Sequence, residues 1–268
     1  MNLFQAIVLG IVQGITEFLP ISSSGHLLLL QKLWHISGDN LTFIVLLHLG
    51  TLVAVIYAMR KEIMWLYQNP KSRLSGMILI ALLPTAGIGA LFEEWFESLF
   101  ENGGTLGAEF LITGVVLWWM DTCVKGNKTE ENMSTMDSLW IGAFQGIAIM
   151  PALSRSGLTI AAGLWRKMSP DAAGRFSFLL SIPAILGATL MKVDDLVEHL
   201  STTSQSLPFG NMIAGFFAAA IAGYIGVEFT LWLLRNSRMR IFAVYVWILA
   251  AFVLSDQIFF HHFFPPLF

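Results

Sequence analysis

The sequence predicts an all-α polytopic membrane protein, with six transmembrane helices and two re-entrant helical hairpins arranged as an inverted-topology repeat. Three observations lead there. Of 268 residues, 56% are hydrophobic and only 12% are charged, with nine Trp and 21 Phe. An average soluble domain is about 25% charged, and a small globule could not bury so much apolar surface. Second, the cations cluster in alternate loops. Third, one stretch of sequence recurs. The composition excludes a soluble enzyme, a disordered chain and a nucleic-acid binder, and a net charge of −3 gives no large single-sign field. The single cysteine, Cys123, allows no intrachain disulfide. No cleavable signal peptide is expected, because no basic residue precedes the first apolar run and that run contains Gln5, Gln13 and Glu17.

A crossing helix needs about 20 apolar residues. Six segments qualify: Thr42–Met59, Ser75–Phe92, Thr105–Met120, Phe176–Met191, Met212–Leu234 and Ile241–Phe260. Two more, residues 1–34 and 139–168, are broken midway by Pro, Ser and Gly. Arg60, Lys61, Lys71, Arg73, Lys125, Lys128, Arg166, Lys167, Arg175, Arg235, Arg238 and Arg240 fall on one side. The opposite loops hold Glu93, Glu94, Glu97, Glu101, Asp194, Asp195 and Glu198, with Lys192 among them. The positive-inside rule makes the first side cytoplasmic. Residues 139–175 then begin and end on that side, which predicts a hairpin that turns back within the membrane. Residues 1–34 are read the same way, entering from the other face.

Shifting the chain by 132 lays Gly10–His26 over Gly142–Leu158 without a gap, with seven of seventeen positions identical. Two repeats are therefore expected, about 1–120 and 139–264, joined by a cytoplasmic loop at 121–138. Inverted repeats with broken helices place polar groups near the midplane, where irregular backbone must be buried or face water.

The two tips carry the chemistry. In the first, Gln13 and Glu17 share a helix face. Leu19–Pro20 ends the helix, and Ser22, Ser23, Ser24 and Gly25 lead into a helix restarting around His26. In the second, Pro151 breaks the chain, and Ser154, Arg155, Ser156 and Gly157 precede a helix beginning near Leu158, with Thr159 following. Arg155 is the one cation deep in an apolar segment. A guanidinium there needs an anion, and its fork suits phosphate. Helix starts offer further N–H groups to an anion. One carboxylate, one imidazole, one guanidinium and several hydroxyls make a phosphate site with acid–base capacity. Two structural alternatives remain: Glu17 and Arg155 as a plain ion pair, and His26 as a helix cap. His48 and Thr51 are read as packing, Glu228 as a partner for Arg235, and Glu109 as lying near an outer helix end. His35, His199, His261 and His262 are placed near the surface, and Trp34, Trp95, Trp140 and Trp165 at the membrane interface.

At these residues the chain resembles the undecaprenyl-diphosphate phosphatases of bacteria, the bacitracin-resistance type. Gln13 and Glu17 match that family's Glu/Gln-x3-Glu motif, Phe18–His26 its FLP-x-SS-[ST]-GH, and Pro151–Thr159 (PALSRSGLT) its PGxSRSxxT. The stretch Phe176–Ala188 is family-like too. Ala152 departs from the family's Gly. The resemblance implies hydrolysis of undecaprenyl diphosphate at a site opening to the outer face of the bacterial cytoplasmic membrane, recycling the lipid carrier of cell-wall polymers. It implies Glu17, Ser23, His26 and Arg155 as catalytic residues. Gln13, Ser22, Ser24, Ser154, Ser156 and Thr159 become substrate contacts, and Glu17 with Gln13 ligands of a divalent cation, Mg²⁺ or Ca²⁺. The nucleophile stays open between Ser23 activated by His26, His26 itself and a metal-bound water, with Ser23 and His26 acting together preferred. A homodimer is a possible assembly. The type-2 phosphatidic-acid phosphatases share SGH and SR elements, but the Lys-x6-Arg-Pro motif they need is not apparent. The rival reading is an inverted-repeat transporter or lipid flippase.

Overall fold

The computed structural model describes residues 1–36, 41–123, 126–192, 208–236 and 239–266. Lys125, Asp194, Asp195, Glu198, His199 and Arg238 lie outside them. The described elements are helical: α1 (Leu3–Phe18), α2 (Ser23–Leu33), α3 (Leu41–Ala58), α4 (Arg60–Gln68), α5 (Arg73–Leu91), α6 (Glu93–Asn102), α7 (Leu106–Met120), α8 (Thr135–Ile147), α9 (Arg155–Trp165), α10 (Pro170–Met191), α11 (Phe209–Asn236) and α12 (Arg240–Ser255), the last running into a π-turn at Asp256–Phe260.

Five segments are long and apolar enough to cross a membrane: α3, α5, α10, α11 and α12 with its π-turn. The protein is therefore a multi-pass membrane protein. Leu79, Leu83, Ile221 and Ile248 are among the large apolar side chains left exposed on these helices, a surface suited to lipid rather than water. The expected span Thr105–Met120 becomes the 15-residue α7, about 22 Å long and short of a full hydrocarbon core. Gly103, in the left-handed conformation at φ +65°, ends α6 just before it. The expected span Phe176–Met191 starts six residues earlier. Ser169 caps it through the N–H of Ala172, and Pro170 fits its first turn. The short helices α4 and α6 were not foreseen.

The packing is paired. α1 lies along α11 and α8 along α5; α3 packs on α11 and α10 on α5; α7 meets α12 and α3 meets α10. Small residues permit the close approaches. A methyl group on Gly10 would strike the carbonyl oxygen of Gly215, and one on Gly142 that of Ala81. Each broken segment folds back on itself, α1 against α2 and α8 against α9, and the two breaks meet inside the bundle.

Candidate active site

The two breaks are built alike. Ser22 caps α2 by accepting the N–H of Gly25, and Ser154 caps α9 by accepting that of Gly157. Both second helices start three residues earlier than the sequence reading placed them, so Ser23 and Arg155 are the first helical residues. The breaks also clasp each other. Ser22 Oγ donates to the carbonyl of Pro151 at 2.8 Å, and Ser156 Oγ to that of Leu19 at 3.1 Å. Leu19 and Pro151 are themselves 132 apart, so the clasp is reciprocal.

This clasp sets Arg155 against Glu17, with Nη2 2.5 Å from Oε1. The carboxylate is held from two other directions. Ser23 Oγ donates to Oε2 at 2.6 Å, and Gln13 Nε2 donates to the same oxygen at 2.9 Å. Glu17 is 8% exposed and Arg155 16%. Arg155 Nη1 and Gln13 Oε1 are buried without a hydrogen-bond partner. A cavity of about 80 Å³ adjoins the pair, lined by Glu17, Ser22, Ser23, Ser24, Ser154 and Arg155 together with Thr16, His48, Ala148 and Leu153. Leaving a guanidinium donor unpaired in such a place is costly, so the arrangement is suited to a polar, anionic guest.

Four expected site residues lie off the cavity lining. Gln13 reaches it only through Glu17. Ser156 is engaged in the clasp, and the hydroxyl of Thr159 donates to the Arg155 carbonyl of its own helix at 2.8 Å. His26 also lies off the lining. Its Nδ1 is 2.6 Å from the Ser22 carbonyl oxygen and its Nε2 2.8 Å from the Tyr245 hydroxyl, with the ring stacked on Tyr245 and edge-on to Phe110. Both ring nitrogens are engaged, so the expected Ser23–His26 couple is not formed. Ser23 bonds the carboxylate of Glu17 instead.

His48, read as packing, lines the cavity with Nε2 4.0 Å from Glu17 Oε2, while its Nδ1 bonds the Ile44 carbonyl. Glu109, placed near an outer end, is buried and accepts the backbone N–H of Ala152 at 2.5 Å. A carboxylate inside an apolar segment was the signal for it, as an imidazole in such a segment was for His48. Arg235 pairs with Asp171 rather than Glu228. Ala152 is fully buried and has no positive φ, so its replacement of the family's Gly needs no strained backbone.

Among the described residues no three His, Cys, Asp or Glu side chains group as for a metal ion. The donor set still fits a hard cation that takes one carboxylate and completes its shell with substrate and water. Gln13 Oε1 is a buried oxygen without a partner beside that carboxylate.

The fold and site thus define a class: a multi-pass helical membrane protein with an acid–guanidinium pair buried where two broken helices meet. The chain belongs to the bacitracin resistance protein BacA family, whose model matches residues 6–252. It is 46% identical over 259 residues to the undecaprenyl-diphosphatase of Carboxydothermus hydrogenoformans, covering 96% of this chain and 98% of that one. It is 41% identical over 257 residues to undecaprenyl-diphosphatase 3 of Bacillus cereus, with 96% and 98% covered. To the undecaprenyl-diphosphatase of Methanobrevibacter smithii it is 38% identical over 279 residues, with 96% and 99% covered.

Proposed function

We propose that this chain hydrolyses undecaprenyl diphosphate to undecaprenyl phosphate and inorganic phosphate, and so recycles the cell-wall lipid carrier and confers bacitracin resistance. The observation that carries this is the contact between Arg155 and Glu17 beside a polar cavity inside an apolar body. Family membership supplies the substrate.

Arg155 binds the diphosphate with its unpartnered Nη1, and the starts of α2 and α9 add backbone donors. Ser23 attacks the terminal phosphorus. Its proton passes to Glu17, already its acceptor. The bond from phosphorus to the bridging oxygen breaks, and undecaprenyl phosphate leaves. Water then releases phosphate and restores the hydroxyl. Catalysis is mostly positioning and charge stabilisation. A divalent cation, Mg²⁺ or Ca²⁺, would be held by Glu17 and Gln13 Oε1 and would neutralise phosphate charge. His26 holds the first tip in place through Ser22 and Tyr245.

We further propose six crossings and two re-entrant hairpins, with α7 as the third crossing, in inverted halves 1–120 and 139–264 joined by residues 121–138. The paired packing of α1 on α11 and α8 on α5 supports this division. On this reading the protein lies in the bacterial inner membrane, its site opening to the outer face and the polyprenyl tail entering sideways from lipid.

The test is phosphate release by purified protein from a long-chain prenyl diphosphate, with Mg²⁺ and with chelator. Release that requires Arg155 supports hydrolysis. Translocation of the lipid in vesicles without release would favour the transporter.

A further inference from the structure

α7 is the least membrane-like of the proposed crossings, yet it carries a buried carboxylate. Glu109 is 1% exposed and forms no ion pair with any described cation. Its Oε2 accepts the N–H of Ala152 at 2.5 Å, and its Oε1 accepts the hydroxyl of Thr105 at 2.5 Å. One turn further on, Thr113 Oγ1 donates to the carbonyl of Ala152 at 2.9 Å and accepts the N–H of Ser154 at 3.3 Å. Three backbone groups of residues 152–154 are thus fixed by two α7 side chains. Arg155 follows directly. An ionisable side chain within an apolar helix is costly, and packing alone would not call for a carboxylate here.

The other half has a matching contact. The shift of 132 places Tyr245 of α12 at the position of Thr113. Tyr245 holds the first tip through His26. The third crossing of each half therefore reaches across to the tip of the other.

We propose that Glu109 and Thr113 are positioning residues for Arg155: they fix residues 152–154 so that the guanidinium is set for the substrate's diphosphate. This rests on Arg155 being the phosphate-binding group.

The test measures kcat and KM with a prenyl diphosphate, together with inhibition by inorganic phosphate. The variants are Glu109→Ala, Glu109→Gln, Thr113→Val, Arg155→Lys and the Glu109→Ala/Arg155→Lys pair. Glu109→Ala should raise both KM and the phosphate inhibition constant by roughly tenfold, the scale of a lost charge-assisted hydrogen bond. kcat should change less. Glu109→Gln should restore most of both losses, since its amide oxygen can accept from Ala152 while its NH2 donates to the Thr105 hydroxyl, without the charge. The double variant should be no worse than Arg155→Lys alone, because residues acting through one group are not additive.

A fall in kcat with KM and phosphate inhibition unchanged would mean a smaller folded fraction only, and would overturn the proposal. So would losses that multiply in the double variant. If Glu109→Ala does not fold, Thr113→Val carries the same comparison with the same two outcomes. A wild-type response from Arg155→Lys and Arg155→Ala would instead sink the phosphate-site reading, a distinct failure.

Discussion

The two tips share a scaffold and divide the chemistry between them. Ser22 and Ser154 both cap a helix through a glycine N–H. Leu19 and Pro151 both accept a serine hydroxyl from the opposite tip. Yet Glu17 faces Ile149 across the repeat, Ser23 faces Arg155, and His26 faces Leu158. The backbone also differs. Ser22 sits at φ +69°, rare for a residue with a side chain, whereas Ser154 is extended at φ −75°. The first tip bears the acid and hydroxyl on a strained turn; the second bears the guanidinium on a relaxed one that α7 braces. A repeat supplies the frame, and three unlike positions turn it into a charge-separated site.

The largest break in this comparison should come from its charged pair. Arg155→Ala and Glu17→Gln should each cut phosphate release by on the order of 10²–10³-fold per folded molecule, and each should also lower the melting temperature in detergent, because one member of a buried pair is left alone. Activity surviving Arg155→Ala would reject the site. The next contrast is between serines. Ser23→Ala should cost a similar factor if its hydroxyl is the nucleophile. Ser154→Ala should cost stability of about 1 kcal/mol, the value of a helix cap, and far less turnover. Equal losses would mean that the Ser23 hydroxyl supports the first tip, as Ser154 supports the second, and does not attack phosphorus. Smaller still is Tyr245→Phe. It removes the hydroxyl bonded to His26 and should lower turnover several-fold, about the worth of one neutral hydrogen bond. His26→Ala should cost more, because it also releases Ser22. Steady-state kinetics on the two variants checks the order.

Both tips were legible in the sequence because their signals are local. Leu19–Pro20 ends one helix, Pro151 lies in the turn just after another ends at Ile147, and Ser-x-x-Gly starts the next in each case. Five of the six expected spans were legible from composition. What could not be read depends on which helices meet. Glu109 is 43 residues from Ala152, and its own neighbours in sequence look like the start of an ordinary span. His48 reaches Glu17 only because of how α3 is turned. The pairing of His26 with Tyr245 spans 219 residues, and without it the imidazole looks free to serve Ser23. The helices starting at Arg155 and Pro170 begin a few residues before their uninterrupted apolar runs, because the capping serines Ser154 and Ser169, not hydropathy, set where they start.

The asymmetry continues to the far end of the two entry helices, where it gives the smallest expected effect. α1 begins with a capping box of Asn2 and Gln5; α8 begins with one of Ser134 and Asp137. These pairs are again 132 apart, but only the second is charged. Asp137 is fully buried and bonds Lys128 at 3.0 Å and Arg166 at 2.6 Å. Burial pushes its carboxyl up, but the Ser134 backbone N–H and the two cations outweigh this and hold it down at about 2, against an ordinary 3.8. A lowered folded value means stability that is complete above 3.8 and is lost as pH falls through that point toward about 2. Asp137→Asn should therefore lower stability by about 1–2 kcal/mol at neutral pH, with both cations partly exposed and screened, and should flatten the acid limb of a melting-temperature profile. Gln5→Glu should show a smaller limb, since its carboxylate would keep the Asn2 backbone N–H while no described cation pairs with α1's first turn. An unchanged acid limb in Asp137→Asn would place the acid sensitivity elsewhere and leave the two entry helices alike.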